Sequence, residues 1–420
     1  MTKEVTEITL ANVLEENNLR TAFAAVKRNK GVAGIDNKSI EETAEHLNRH
    51  WKQIGGKLQT GHYSPSPVKG ILIPKASGGE RLLGIPTVQD RFIQQAIQQQ
   101  ISMVFEPLFS EYSFGFRPNR STHDAIKLAQ QYVESGKDWV IDMDIKAFFD
   151  NVNHDILMQR VKEEIKDKKL LRLINKYLKA GVVIKGKYKA STKGTPQGSP
   201  LSPLLANIYL DKLDKELERR GLSFCRYADD LNIYVGSERS AERVYHSLIK
   251  WIEKHLKISI NPDKSGTGRP WDRQFLGFRI RENGKLAIDP KRIERYKDKV
   301  RQLWNAKQSM TSKELVSQWG NYIRGWINYF KITETPYQIT RWTGWTRRHI
   351  RKCFWLRWHN KKGRLNALKR LGLFGGYLKT ASSSRGAWRI ASSPALHRAL
   401  DNATLKRYGF YVADDFLTSC

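Results

Sequence analysis

The chain has 420 residues, 40% of them apolar, enough to bury several cores and, at roughly 150 residues per domain, to form two to four domains. Its 73 Lys and Arg against 42 Asp and Glu give a formal net charge of +31, a balance that repels itself unless a polyanion is bound and makes nucleic acid the default partner. No apolar run is long enough to cross a bilayer, so no membrane partner is expected. MTKEVTEITL resembles neither a signal nor a transit peptide, and Cys225, Cys353 and Cys420 are too scattered for a disulfide framework or a zinc cluster; residence in the cytoplasm is expected.

In chain order, the first 60 or so residues read as helices, with LRTAFAAVKRNKG carrying apolar residues three and four apart and stopping on Gly31. ILIPKASGGERLLGIP, two apolar runs around a Ser-Gly-Gly turn flanked by Lys75 and Arg81, has a hairpin signature. Thr87 caps the next helix, whose apolar face is Phe92, Ile93, Ala96, Ile97, Ile101 and Val104 and whose Gln-rich opposite face reads as solvated. In WVIDMDIKAFFDNV, Ile141, Met143 and Ile145 alternate with Asp142 and Asp144, as a half-buried strand requires. TPQGSPLSPLLANIYLDKLDKEL is a Gly/Pro turn feeding a helix, and FCRYADDLNIYV reads as two strands hinged on Asp229 and Asp230.

Further on, Trp319, Tyr322, Ile323, Trp326 and Phe330 recur at helical spacing as core aromatics. Residues 335–400 contain no Asp or Glu, while Trp342, Trp345, Trp355, Trp358 and Trp388 are interleaved with Arg and Lys. There Arg347, Arg348, Arg351 and Lys352 fall at i, i+1, i+4 and i+5, predicting a basic helical stripe able to lie along a phosphate backbone. Strands inside helical flanks predict an α+β body followed by a basic, helical C-terminal region.

Asp229 and Asp230 are adjacent carboxylates between apolar runs, without the Gly or Asn that a tight hairpin turn wants. Like charges so placed repel unless a cation lies between them. Hard divalent ions such as Mg2+ take one or two protein carboxylates each and complete their shell with water and substrate phosphate. With Asp144 as the third carboxylate, the pattern suits two ions roughly 3.5 to 4 Å apart and nucleotidyl transfer. By spacing alone, two unrelated strands that each carry Asp explain it equally well.

The wider pattern is less ambiguous. The Tyr-Ala-Asp-Asp box, DIKAFFD and TPQGSPLSPLLANIYL together resemble reverse transcriptases. The full order of blocks, with IPKASGGERLLGIPTVQDRFIQQAI, SFGFRPNRSTHDA, NPDKS, FLGF and RGWINYF, is similar to that of proteins encoded by bacterial group II introns. The similarity spans nearly the whole chain. It implies a right-hand polymerase of fingers, palm and thumb. Residues 1–65 would be an RNA-binding N-terminal extension, 66–285 the fingers and palm, 286–365 a helical thumb or maturase domain, and 366–420 a DNA-binding region.

The same resemblance implies roles for single residues. Asp144 and Asp229 would be the principal ligands of two Mg2+ ions, with the Ile145 carbonyl contributing, Asp230 secondary and Asp142 a bystander. Lys75 and Arg81 would close on the triphosphate of the incoming dNTP. Phe148 would lie under the sugar and exclude a 2′-hydroxyl, with Phe149 in the core. Gln197 and Gly198 would pack against the nascent base pair, while Ser199 stands where relatives often carry a second Gly. Lys264 would stand near the triphosphate, or else be a solvated loop lysine.

The implied activity is RNA-directed DNA synthesis for a mobile intron, joined to maturase assistance in splicing and retrohoming. The implied partners are group II intron RNA, an RNA template with its DNA primer, target DNA and dNTPs, in a bacterial cytoplasm and associated with the nucleoid. The sequence shows no paired cysteines or His-Asn-His arrangement of an HNH endonuclease, so it resembles the compact class C proteins, and no second-strand cleavage is expected. Two alternatives stand beside this: a host-domesticated or defence-associated reverse transcriptase, and an RNA-binding splicing factor without polymerase activity. The presence of Asp144, Asp229 and Asp230 argues against the latter.

Overall fold

Ser39 accepts a hydrogen bond from Glu42 N, and the Glu42 carboxylate accepts one from Ser39 N, so a reciprocal cap starts the helix Ile40–Gln59. This belongs to a computed structural model that describes residues 7–74, 78–335 and 337–417 and falls into two compact units, Met1–Arg269 and Pro270–Cys420. Ahead of it, the helix Glu16–Asn29 ends one residue earlier than Gly31 predicts: Lys30 itself takes the left-handed cap position, at φ 48°.

Thr87 caps the helix Val88–Phe105 as expected, accepting from Asp90 N, and the apolar face faces the core. Its Gln-rich face is only partly solvated. The helix Glu16–Asn29 packs over it: Asn18 Nδ2 donates to the Ala96 carbonyl and Gln99 Nε2 to Asn18 Oδ1, while Gln94 is buried against the Ser199 hydroxyl. Neutral amides can be covered in this way once their donors and acceptors are met.

Two sheets follow. β1 (Val68–Pro74) and β2 (Glu80–Ile85) form the expected antiparallel hairpin, closing at the Pro74–Glu80 pair; Gly78 and Gly79 supply positive φ in the connection. β3 (Trp139–Asp144) belongs to the second sheet, whereas β4 (Val182–Ile184) runs parallel to β1 and pairs with β5 (Lys187–Lys189), giving the order β2-β1-β4-β5. β6 (Ser223–Tyr227), β7 (Asp230–Val235) and β8 (Gly266–Gly268) complete the antiparallel order β6-β7-β3-β8. Ile141, Met143 and Ile145 are buried, and Asp142 and Asp144 lie on the more open side, as the alternation requires. The helix Glu238–Leu256 packs against β3, β7 and β8.

The second unit opens with the hairpin β9 (Phe278–Ile280) and β10 (Leu286–Ile288), followed by the helices Pro290–Leu303, Ser312–Phe330 and Tyr337–Arg357. Its core is aromatic. Trp319, Ile323 and Phe330 are buried, Tyr296 lies 4.7 Å from Trp326, and Trp319 Nε1 donates to the Tyr411 carbonyl. Cys225 and Cys353 are buried free thiols, and Cys420 lies outside the described residues. Among the described residues, no helix is long and apolar enough to cross a membrane.

Candidate active site

β3 ends on Asp144, β7 begins on Asp230, and the register sets these two residues directly opposite one another. Between β6 and β7 the chain reverses through Ala228 and Asp229, with Ala228 at φ 58°, a left-handed conformation that costs a non-glycine residue about 1 kcal/mol. Two segments remote in sequence thus deliver their acids to one end of one sheet. Asp229 is brought near enough to Asp144 to feel its charge: burial pushes the Asp229 carboxyl above the usual carboxylate range, Asp144 adds to the push, and Lys264 and Arg226 oppose it. Asp230 is exposed.

The loop 261–265 fixes the end of β3. Asp144 N donates to Ser265 Oγ at 2.9 Å, and Asn261 N donates to the Asp144 carbonyl at 2.8 Å. Its side chains meet the carboxylate as well: Lys264 Nζ stands 3.3 Å from Oδ2 and Asn261 Nδ2 3.4 Å from Oδ1. An ammonium therefore already holds a cation's place beside the acid. Among the described residues, no three or more His, Cys, Asp or Glu side chains are gathered into a closed metal cage. The donor set is open and all-oxygen, and one or two carboxylates are what Mg2+ ordinarily takes from protein, so these residues fit a hard divalent ion.

The other expected site residues are distributed as follows. Arg81 is exposed on β2, opposite Ile73, while Lys75 lies outside the described residues. The Gln197 carbonyl accepts from Gly84 N at 2.8 Å, and Gly198, at φ 110°, is packed so that a Cβ would come 2.7 Å from the Gly84 carbonyl. The close approach that demands Gly198 is thus to the backbone of β2. Ser199 is buried and bonded to Gln94.

Two expectations are corrected by packing. Phe148 is only 2% exposed and belongs to the core, with its ring 6.1 Å from that of Tyr209, so it does not lie open to a sugar. Phe149, the half-buried member of the pair, packs against the same core as expected and also meets the exposed Phe116 edge-on. The basic stripe of the second unit is turned inward rather than presented to solvent. Arg351 is buried with Nε donating to the Leu400 carbonyl at 2.8 Å, and Arg348 donates to the Trp388 carbonyl and lies 4.1 Å over its ring. Arg347 faces Asp414 at 3.7 Å, and Lys352 is half-buried near Trp388. A helix in an acid-free segment can satisfy buried guanidinium groups with carbonyls and aromatic faces, which charge counting does not reveal.

The sequence reading also missed the polar residues beneath the turn. Arg226 is buried in an ion pair with Asp214, also buried. The available signal was an arginine inside the apolar run FCRY.

The fold is that of a right-hand polymerase of the reverse-transcriptase class, α+β in its first unit and mostly helical after a short hairpin in its second. Residues 73–280 match the family described as reverse transcriptase (RNA-dependent DNA polymerase), and residues 293–372 the group II intron maturase-specific domain. The group II intron-encoded protein LtrA of Lactococcus lactis subsp. cremoris is 40% identical, with 76% of this chain and 69% of LtrA covered. Protein YkfC of Escherichia coli (strain K12) is 34% identical over 60% of this chain and 75% of its own length. Among solved structures, a partial Cas6-RT-Cas1–Cas2 complex is 26% identical over 58% of this chain and 41% of that one, with a TM-score of 0.38. The chain belongs to the family of reverse transcriptases and maturases encoded by group II introns. It is an RNA-directed DNA polymerase and maturase, dependent on a divalent metal and acting on nucleic acid.

Proposed function

We propose that Asp144 and Asp229 hold two Mg2+ ions, with the Ile145 carbonyl contributing and Asp230 as a secondary carboxylate, and that this site joins dNTPs to a DNA primer along an RNA template. The observation that carries the reading is the convergence of the Asp144 strand end with the Asp229 turn on one sheet. Divalent ions held there would activate the primer hydroxyl and offset charge on the leaving pyrophosphate. Lys264, 58% exposed at its side chain, is free to exchange its contact with Asp144 for one with a triphosphate. Arg81, together with Lys75, is assigned to that triphosphate, and Gln197 with Gly198 to the nascent base pair.

In this reading, residues 1–65 bind RNA, 66–285 form the fingers and palm, 286–365 the thumb or maturase domain, and 366–420 the DNA-binding region. The break between the compact units falls at Arg269, ahead of β9, which this assignment counts with the palm. The specific partners are the intron's own RNA and its DNA target, in the cytoplasm at the nucleoid of a bacterium. The two together support splicing and retrohoming.

Primer extension on an RNA template tests the site. Asp144→Asn and Asp229→Asn are each expected to lose about 10³-fold or more in rate with no marked fall in melting temperature, while splicing of the intron RNA, which needs binding and no polymerisation, persists. Full extension by either variant would overturn the assignment.

A further inference from the structure

Directly behind the acid turn stands a buried polar group that the chemistry proposed above does not use. Arg226, on β6, is 0% exposed, and Asp214 and Asn207, seven residues apart on one face of the helix Ser202–Arg219, are 0% and 1% exposed. Arg226 Nε and Nη2 donate to the two carboxylate oxygens of Asp214 at 2.7 and 2.5 Å, a bidentate fork. Its Nη1 donates to Asn207 Oδ1 at 3.0 Å and to the Ala228 carbonyl at 2.9 Å. Asn207 Nδ2 in turn donates to the Gly115 carbonyl at 2.8 Å, and Gly115 is pressed so closely on the turn that a Cβ would come 2.3 Å from Ala228 N. The Arg226 backbone is engaged as well, donating to the Tyr112 carbonyl and accepting from Phe114 N, each at 2.9 Å.

Stability alone does not explain such a pair. Two buried charges lose their hydration, and apolar groups of similar volume in their place are often neutral or more stable. What an apolar side chain cannot supply is the hydrogen bond to the Ala228 carbonyl. Ala228 is the residue at φ 58°, and its carbonyl carbon is bonded directly to the nitrogen of Asp229. A left-handed alanine relaxes unless its surroundings over-determine it. Here the guanidinium holds its carbonyl and Gly115 closes on its nitrogen.

We propose that Arg226, braced by Asp214 and Asn207, is a positioning residue that locks the left-handed turn at Ala228 and so aims the Asp229 carboxylate towards Asp144. The proposal rests on Asp229 being a ligand of the divalent ion.

The test is the double variant Arg226→Met/Asp214→Leu in the full chain, with Asp229→Asn alongside. Three quantities are read: the melting temperature, kcat for primer extension at saturating dNTP and template, and Mn2+ affinity of the protein without nucleic acid, by electron paramagnetic resonance. The double variant is expected to melt within a few degrees of the parent, to lose about 10²-fold in kcat, and to bind Mn2+ about tenfold more weakly. Recovery of melting temperature together with full kcat and Mn2+ affinity would overturn the proposal, because the pair would then be packing only. Should the double variant fail to fold, Arg226→Lys takes its place. It keeps the buried charge against Asp214, but one ammonium cannot reproduce a planar fork, so kcat and Mn2+ affinity must again fall; a parental kcat overturns the proposal. Weakened Mn2+ binding in Asp229→Asn with normal binding in the double variant defeats this proposal alone. Normal binding in both defeats the ligand assignment beneath it.

Discussion

Lys264 Nζ lies 3.3 Å from Oδ2 of Asp144, and the same ammonium draws down the carboxyl of Asp229. A side chain occupies a cation's place beside Asp144. Exposed pairs of this kind are worth up to about 1 kcal/mol, close to a fivefold change in an equilibrium constant. Lys264→Ala is therefore expected to lower the Mg2+ concentration for half-maximal primer extension by up to about fivefold while raising KM for dNTP. A Mg2+ titration at saturating dNTP reads this, and a higher Mg2+ requirement in the variant would contradict it.

Phe148 and Phe149 should separate cleanly. Phe148→Ala empties a core position and is expected to cost about 3 to 5 kcal/mol in urea unfolding. Phe149→Ala, at a half-buried position, should cost clearly less and, if either ring meets the sugar, is the variant that admits ribonucleotides. Greater ribonucleotide incorporation by Phe148→Leu than by Phe149→Ala would reverse this.

Asp211, on the helix that carries Asp214, has a buried Oδ1 with no hydrogen-bond partner among the described residues, and burial followed by the Asp214 charge pushes its carboxyl up to about 6. The folded value lies above the ordinary 3.8, so the native state binds this proton more tightly than the unfolded chain does. That contribution is complete below about pH 4 and is lost as the pH rises through 6. Asp211→Asn should accordingly stabilise on the order of 2 kcal/mol at pH 8 and have almost no effect at pH 4. Unfolding at the two pH values measures the difference; an equal gain at both would show that the ionisation is not responsible.

Arg351 is committed to the Leu400 carbonyl. Arg351→Met leaves that acceptor without its donor and is expected to destabilise by about 1 to 3 kcal/mol. The dependence of RNA affinity on salt should keep its slope, which counts the phosphates neutralised. A slope shallower by nearly one unit would instead make Arg351 a phosphate contact.

What the sequence determined by itself was local and periodic. The alternation of Ile141, Met143 and Ile145 with Asp142 and Asp144 specified the strand. Thr87 specified a helix start, the Ser-Gly-Gly turn a hairpin, and Trp319, Ile323 and Phe330 a buried helical face. These follow from backbone sterics and from a repeat of two or 3.6 residues, which any short window contains. Packing between elements set how deeply each of two adjacent phenylalanines is buried, brought the helix Glu16–Asn29 onto the glutamines of Val88–Phe105, and turned Arg347, Arg348 and Arg351 inward. It also joined Arg226 to Asp214, Asn207 and Ala228. The reason is physical: a long polar side chain takes whichever acceptor packing brings within about 3 Å, and that acceptor belongs to an element whose approach no local periodicity encodes.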